Sequence, residues 1–270
     1  MNMTIPFTKA HGAGNDFLLS PSDRVPACDL ASLARAICNR HTGIGADGWI
    51  LTHGAAIRLF NSDGSEAEIS GNGTRCAAAL LLGAAGSGGE VSIMTGAGPR
   101  HLRLIERAGR RFLFEMEMGR PVFHEHQIRF ALPLRNRTQE VTILDVGNPQ
   151  CVVFVEQFPV DWDRLGAEIE GHPHFPKRTN VSFVRSVDRH TIEVRFYERG
   201  AGVTLSSGTG STGAGVAAIL KGVAESPVTI LTPAGESLKL KWDTSVYLTG
   251  PAEIVGSGEF YWSGSAFQSV

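Results

Sequence analysis

The amino-acid sequence predicts an α/β protein, in the α+β sense, built as two lobes by internal duplication. Three observations predict it. Two Gly-rich turns headed by serine, Ser70-Gly71-Asn72-Gly73-Thr74 and Ser207-Gly208-Thr209-Gly210-Ser211, stand 137 residues apart (207 − 70), about half the chain. A second pair, Gly14-Asn15 and Gly147-Asn148, repeats at 133 residues (147 − 14), and an aromatic residue precedes each turn, Phe60 and Phe196. Each turn opens a run of Ala, Leu and Val nearly free of charge, set among short segments rich in Val, Ile and Phe. One small-residue echo recurs by chance, but three in the same order at nearly one offset indicate two homologous halves.

The elements follow in order. An apolar periodicity predicts a helix over 30–40, and the two uncharged runs predict helices over 73–82 and 211–221, buried on all sides. Val, Ile and Phe with alternating patterns predict strands over 56–61, 91–95, 112–118, 141–146, 151–155, 191–197, 228–231 and 237–242. The halves are expected to meet near 120–140, where Pro121 and Pro133 punctuate the chain. This gives an N-terminal lobe of 1–120, completed by a tail of about 255–270, and a C-terminal lobe of 121–254.

Composition narrows the function. Hydrophobic residues make up 42% and charged residues 19%, a globular balance. The net charge of −2, from 25 basic and 27 acidic residues spread evenly, leaves no basic stripe for a nucleic acid or an anionic membrane. The first 17 residues contain no apolar signal core, and the most lipid-like stretch, 77–85, is far shorter than a membrane span. Cys28, Cys38, Cys76 and Cys151 lie far apart with no CxxC pair, which argues for reduced thiols and a cytoplasmic location. Nine histidines form no metal signature; His124 with His126 and His172 with His174 read as surface loop residues, and no metal is expected.

The two turns define a candidate site. A helix N-terminus presents unpaired backbone N–H groups and partial positive charge, so it receives a carboxylate, and glycine lets a ligand approach the backbone. Two such starts, one per lobe, could hold a carboxylate and stabilise negative charge developing beside it. The alternative for each serine alone is a plain N-cap. Gly208-Thr-Gly-Ser-Thr-Gly213 also matches the dinucleotide fingerprint, but the first-half turn lacks the third glycine and nicotinamide binding is not expected.

Several motifs then align in order with one family. His11-Gly-Ala-Gly-Asn15-Asp-Phe17, Arg40-His-Thr-Gly-Ile-Gly-Ala-Asp47 and Phe60-Asn-Ser-Asp-Gly-Ser-Glu66 come first. Gly71-Asn-Gly-Thr-Arg-Cys76, Gly147-Asn-Pro149, Arg178-Thr-Asn-Val181, Glu198-Arg-Gly-Ala-Gly202, Gly208-Thr-Gly210 and Gly250-Pro-Ala252 follow. Over nearly its full length the sequence resembles diaminopimelate epimerase.

The resemblance implies two pseudo-symmetric lobes, each a mostly antiparallel curled sheet around a central helix, and cofactor-free inversion at an amino-acid α-carbon. In that mechanism one cysteine thiolate removes the α-proton and a second cysteine thiol supplies one to the opposite face. Both positions are serine here, Ser70 and Ser207. Cys76 is no substitute, since the family commonly has a non-catalytic cysteine there. A hydroxyl does not titrate near neutrality and needs a neighbour to take its proton. The family histidine after Gly-Asn-Pro is Gln150 here, whereas Glu198 is kept and could assist Ser207. By chemistry alone, ordinary thiol-type epimerisation is expected to be strongly impaired.

Ligand-gripping positions are better kept. Asn15, Asn61, Asn148 and Asn180 match asparagines that hold the substrate's polar ends, and Glu198 with Arg199 matches the pair that recognises the remote amino and carboxylate groups. Gly71, Asn72, Gly208 and Thr209 match the turns around the reacting carboxylate. Singly, such asparagines could be turn residues and Arg199 a surface ion-pair member. Gly48 differs from family members that place a substrate-contacting glutamine there. The expectation is a cofactor-independent epimerase, nominally taking LL- to meso-diaminopimelate in lysine biosynthesis, acting as a dimer by family analogy. The alternatives are an isomerase or racemase of another small carboxylate, an inactive binding homologue, or deliberate Cys-to-Ser replacement, against which Gln150 speaks mildly.

Overall fold

The structure is a computed structural model that describes residues 3–85 and 89–263. It divides into two compact units, Met1–Phe114 with Pro251–Val270, and Glu115–Gly250. The end of the expected completing tail, 264–270, lies outside the described residues.

In chain order the first unit contains β1 (Met3–Gly12), β2 (Asn15–Pro21), α1 (Leu30–Cys38), β3 (Gly48–His53), β4 (Ala56–Asn61), β5 (Glu66–Ala67), α2 (Gly71–Ala85), β6 (Glu90–Thr95) and β7 (Gly98–Ala108). Strand β8 (Arg111–Gly119) runs into the second unit, which continues with β9 (Phe130–Pro133), β10 (Thr138–Asp145), β11 (Pro149–Phe154), α3 (Trp162–Glu170), β12 (Asn180–Asp188), β13 (Thr191–Glu198), β14 (Gly202–Thr204), α4 (Gly208–Leu220), β15 (Val228–Leu231) and β16 (Ser237–Trp242). The long β17 (Val246–Trp262) leads back to the first.

Pairing repeats between the units. Strands β1 and β2 are antiparallel, β2 and β3 parallel across α1, β3 and β4 antiparallel, and β4 and β6 parallel across α2. The second unit runs the same course: β10 and β11 antiparallel, β11 and β12 parallel across α3, β12 and β13 antiparallel, and β13 and β15 parallel across α4. The pairs β4–β5, β6–β7, β13–β14 and β15–β16 are antiparallel, so the strand pairing within each unit is mixed and mostly antiparallel.

Each unit buries one helix over most of its length and one along a stripe. Helix α2 packs on β1, β2, β4, β6 and β7, and α4 on β10 to β13, β15 and β16. Every residue of α4 from Gly208 to Ala218 is buried. Small residues permit this close approach: an added Cβ would lie 2.9 Å from Phe196 at Gly210, 2.9 Å from Gln150 at Gly213 and 2.8 Å from Leu240 at Gly215. Packing of helix on sheet therefore accounts for Gly210 and Gly213 of the fingerprint-like run without a dinucleotide. Helices α1 and α3 are amphipathic. Asp29 caps α1, accepting from Ala31 N and Ser32 Oγ, and Leu33 and Ile37 face Leu18, Trp49 and Phe60. Complete burial of such a side chain contributes about 1.5–3 kcal/mol.

The sequence reading missed α3. Its signal is present, with Trp162, Leu165 and Ile169 spaced for one helical face, but acidic residues dilute it. The strand register also corrects the matched aromatics. Leu59 pairs with Ala67 and Phe60 with Glu66, while Phe196 pairs with Thr204 and Tyr197 with Val203. Phe60 therefore corresponds to Tyr197 and not to Phe196. Side chains alternate along a strand, so this one-residue difference changes the face: Phe60 joins the α1 core and Tyr197 the α3 core, whereas Phe196 meets α4.

Helix α3 rests on β13 through Gly166, where a Cβ would come within 2.8 Å of Tyr197 Cβ and Cγ. Gly166→Ala gains helix propensity but overpacks this contact, and the expected net effect is a loss of about 1–3 kcal/mol. Urea unfolding measures it, and an unchanged or higher midpoint would show that the contact yields.

Candidate functional site

The serine turns form as N-caps. In the first unit Ser70 Oγ accepts from Gly73 N at 3.1 Å, and Ser70 O accepts from Thr74 N and Thr74 Oγ1 at 2.8 and 2.7 Å. In the second, Ser207 Oγ accepts from Gly210 N at 3.1 Å, and Ser207 O accepts from Ser211 N at 2.9 Å. Capping and ligand contact are compatible, because a hydroxyl that accepts from the helix keeps its own proton to donate.

That proton separates the two serines. Ser207 Oγ donates to Glu198 Oε2 at 2.8 Å, and Thr204 Oγ1 donates to Glu198 Oε1 at 2.7 Å. Strand β13 ends at Glu198 and pairs with β14, bringing the carboxylate beside the start of α4. At the matching position of the first unit, β4 ends at Asn61, whose Nδ2 donates to Ser65 Oγ at 3.0 Å. Thr204 is a partner of Glu198 that the sequence reading missed, and its signal is its place opposite Phe196 on β14.

Around Ser70 the polar side chains form one chain. Asn72 Nδ2 donates to Asn15 Oδ1 at 3.1 Å, and Asn15 Nδ2 donates to Asp47 Oδ2 at 2.7 Å. Asp47 Oδ1 accepts from Arg40, which also binds Asp16. Burial would raise the Asp16 pKa, but hydrogen bonds from Arg40 and Lys9 outweigh it and hold the carboxyl below its ordinary value. The buried Arg75 donates to Asn72 Oδ1 and, from Nε, to Pro251 O at 3.2 Å. Arg75 and Asp47 both fall within family motifs; Arg75 reaches Asn72 across one turn of α2, whereas the link of Asp47 to Asn15 spans 32 residues and no local pattern reveals it.

Around Ser207 the equivalents differ. Asn148 Nδ2 donates to Thr209 Oγ1 at 3.2 Å and Gln150 Nε2 to Asn148 Oδ1 at 2.6 Å. Asn180 is held between Pro149 O, which accepts at 3.1 Å, and Arg199 N, which donates at 3.1 Å. The buried Glu170, at the end of α3, accepts from Gly200 N at 3.2 Å and from Arg178, bracing the loops that bear Asn180 and Arg199. The Arg199 guanidinium reaches Lys177 O at 3.4 Å. In the first unit the register matches Gly48 to Asn180, and a Cβ there would lie 2.9 Å from Phe60 O and 3.1 Å from Phe17.

The cysteines are free, and burial pushes the Cys76 thiol up to about 12, so it holds no thiolate near neutrality. Among the described residues no group of three His, Cys, Asp or Glu is placed to hold a metal. His172 Nε2 instead meets Pro133 O at 2.7 Å, and His174 packs on Phe130. No described helix is long and apolar enough to cross a membrane.

Two units, each with mixed strand pairing around a largely buried helix that starts from a capped serine, define a fold used by epimerases. A hydroxyproline epimerase from Agrobacterium vitis shares it at a TM-score of 0.68 and 16% identity, over 96% of this chain and 92% of that one. The enzyme class is isomerase. The chain belongs to the diaminopimelate epimerase family, whose model matches residues 7–124 and 142–255. The diaminopimelate epimerases of Moorella thermoacetica and Halothermothrix orenii are 40% and 38% identical to it, over 94% and 95% of this chain and 98% of each relative.

Proposed function

We propose that the protein is a cofactor-independent amino-acid epimerase acting on diaminopimelate, with Ser70 and Ser207 in the two acid/base roles. The observation that carries this reading is the Ser207–Glu198 hydrogen bond of 2.8 Å. A serine hydroxyl becomes a base only as its proton leaves, and Glu198 is an acceptor already in place. Ser207 takes the α-proton while passing its own to Glu198. The Ser70 hydroxyl gives its proton to the opposite face of the α-carbon, and the proton held on Glu198 returns to the Ser70 oxygen through solvent. Ser70, at the N-terminus of α2, supplies the second hydroxyl.

Backbone N–H groups of Gly71, Asn72, Gly208 and Thr209 serve the reacting carboxylate, where negative charge grows as the α-proton departs. Asn15, Asn61, Asn148, Asn180 and Arg199 grip the remaining polar groups. The location is the cytoplasm, where such a precursor is made, and the working assembly is a homodimer.

Incubating purified protein with diaminopimelate in heavy water and following mass tests this. The expected result is enzyme-dependent deuterium at the α-carbon, accompanied by epimer interconversion. Binding without incorporation would replace the reading with that of a binding homologue or an isomerase of a more acidic carboxylate.

A further inference from the structure

We propose that Asp47 and Arg75 are positioning residues that lock the Asn15 amide so that it offers N–H, and therefore selects a charged carboxylate oxygen over a neutral amide oxygen, which accepts more weakly, and over an ammonium, which only donates. The inference rests on the epimerase reading for its ligand. An asparagine amide can turn over, exchanging donor for acceptor at almost no steric cost, and only its neighbours decide which end faces a ligand.

In the first unit the neighbours decide it from both ends. A guanidinium only donates, so Arg75 requires the oxygen of Asn72 and turns Asn72 Nδ2 onto Asn15 Oδ1. A carboxylate only accepts, so Asp47 requires Asn15 Nδ2, at 2.7 Å, and the backbone N–H of Asp16 holds that same Asp47 oxygen at 3.1 Å. Turning Asn15 over would set oxygen against oxygen at Asp47 and nitrogen against nitrogen at Asn72. Packing adds to the lock: a Cβ at Gly12 would lie 3.0 Å from Asn72 Cβ, so Asn72 has no room to shift toward β1.

The second unit lacks both ends. The position matching Arg75 is Thr212, whose hydroxyl donates to Gly208 O at 2.8 Å. The position matching Asp47 is Thr179, which precedes Asn180 as Asp47 precedes Gly48. Among the described residues the Asn148 amide meets Gln150 and Thr209, whose groups can each donate or accept, so it can turn. The duplication thus retains two asparagines and fixes one.

The buried Arg75 is otherwise unexplained. It is fully buried, no carboxylate pairs with it among the described residues, and its Nη1 has no partner. Burial pulls its pKa down to about 10, which leaves it cationic near neutrality. Retaining an unpaired cation is costly, and neutral residues would fill the space with less penalty. An ordering role toward Asn72 supplies a reason to keep it.

The test compares binding of diaminopimelate with that of its monocarboxamide by calorimetry, in the parent protein and in Asp47→Asn, Arg75→Gln and Arg75→Lys. Asp47 is on the surface, so its variant is expected to fold even if Arg75→Gln does not. The parent is expected to prefer the carboxylate by about tenfold or more. That preference should collapse toward unity in Asp47→Asn and Arg75→Gln and survive in Arg75→Lys, which remains a donor only. An unchanged preference in folded Asp47→Asn overturns the inference while leaving the epimerase reading intact. If the parent binds neither compound, the substrate reading fails and side-chain amide NMR of the unliganded protein decides the inference. One slowly exchanging Asn15 amide proton, lost in Asp47→Asn, upholds it, and equal exchange in both proteins overturns it.

Discussion

Replacing Ser70 and Ser207 together by cysteine is expected to raise epimerisation of diaminopimelate by roughly 10²-fold or more, the range a well-matched acid and base contribute. The reason is titration. A free thiol ionises near pH 8.5, so both protonation states are accessible at neutral pH, whereas a hydroxyl offers only its neutral form. The two surroundings would also divide the roles. A cysteine at 70 replaces the N-cap of α2, where the helix terminus and the Gly73 N–H favour a thiolate. A cysteine at 207 faces the Glu198 carboxylate, which disfavours a second negative charge and keeps the thiol protonated. The resting variant would hold its base in the first unit and its acid in the second. Steady-state circular dichroism of the epimer mixture measures the gain. No gain in a folded double variant would mean that something beyond the serines limits the chemistry, with Gln150 the first residue to examine.

Glu198→Gln is expected to lower α-proton exchange in the unmodified protein by about 10²- to 10⁴-fold, the usual contribution of a general base. The change is isosteric, and a glutamine amide can still satisfy both Ser207 and Thr204, which now donate to the two carboxylate oxygens. Stability should therefore hardly move, and the loss belongs to proton transfer. The companion measurement is the double-mutant cycle with Ser207→Ala. If Glu198 acts through Ser207, removing the serine first leaves little for Glu198→Gln to take away, and the effects are far from additive. Additive losses would place Glu198 in ligand binding alone.

How far these residues could be read in advance depends on how local their signals are. Helices α2 and α4 were legible because burial on every side writes itself as an unbroken run of small and apolar residues. Helix α3 was not, because acidic residues surround its Leu165 and Ile169, although the duplication offered a second route through its counterpart α1. The serines, asparagines and Glu198 stand out in the sequence as motif positions, and the structure sets Glu198 within hydrogen-bond distance of Ser207. The roles of Asp47 and Arg75 were not found, since each acts on a residue brought near by strand pairing or by the turn of a helix.

The sequence by itself determined the duplication, the buried helices and the family, because these depend on composition, spacing and ordered motifs along one dimension. Only the tertiary structure decided which aromatic residues correspond, which hydroxyl has an acceptor and which asparagine is locked. A one-residue change in register moves a side chain to the other face of a sheet, and a hydrogen bond has a direction only once both partners are in place. Those are properties of residues distant in sequence meeting in space, and no local pattern encodes them.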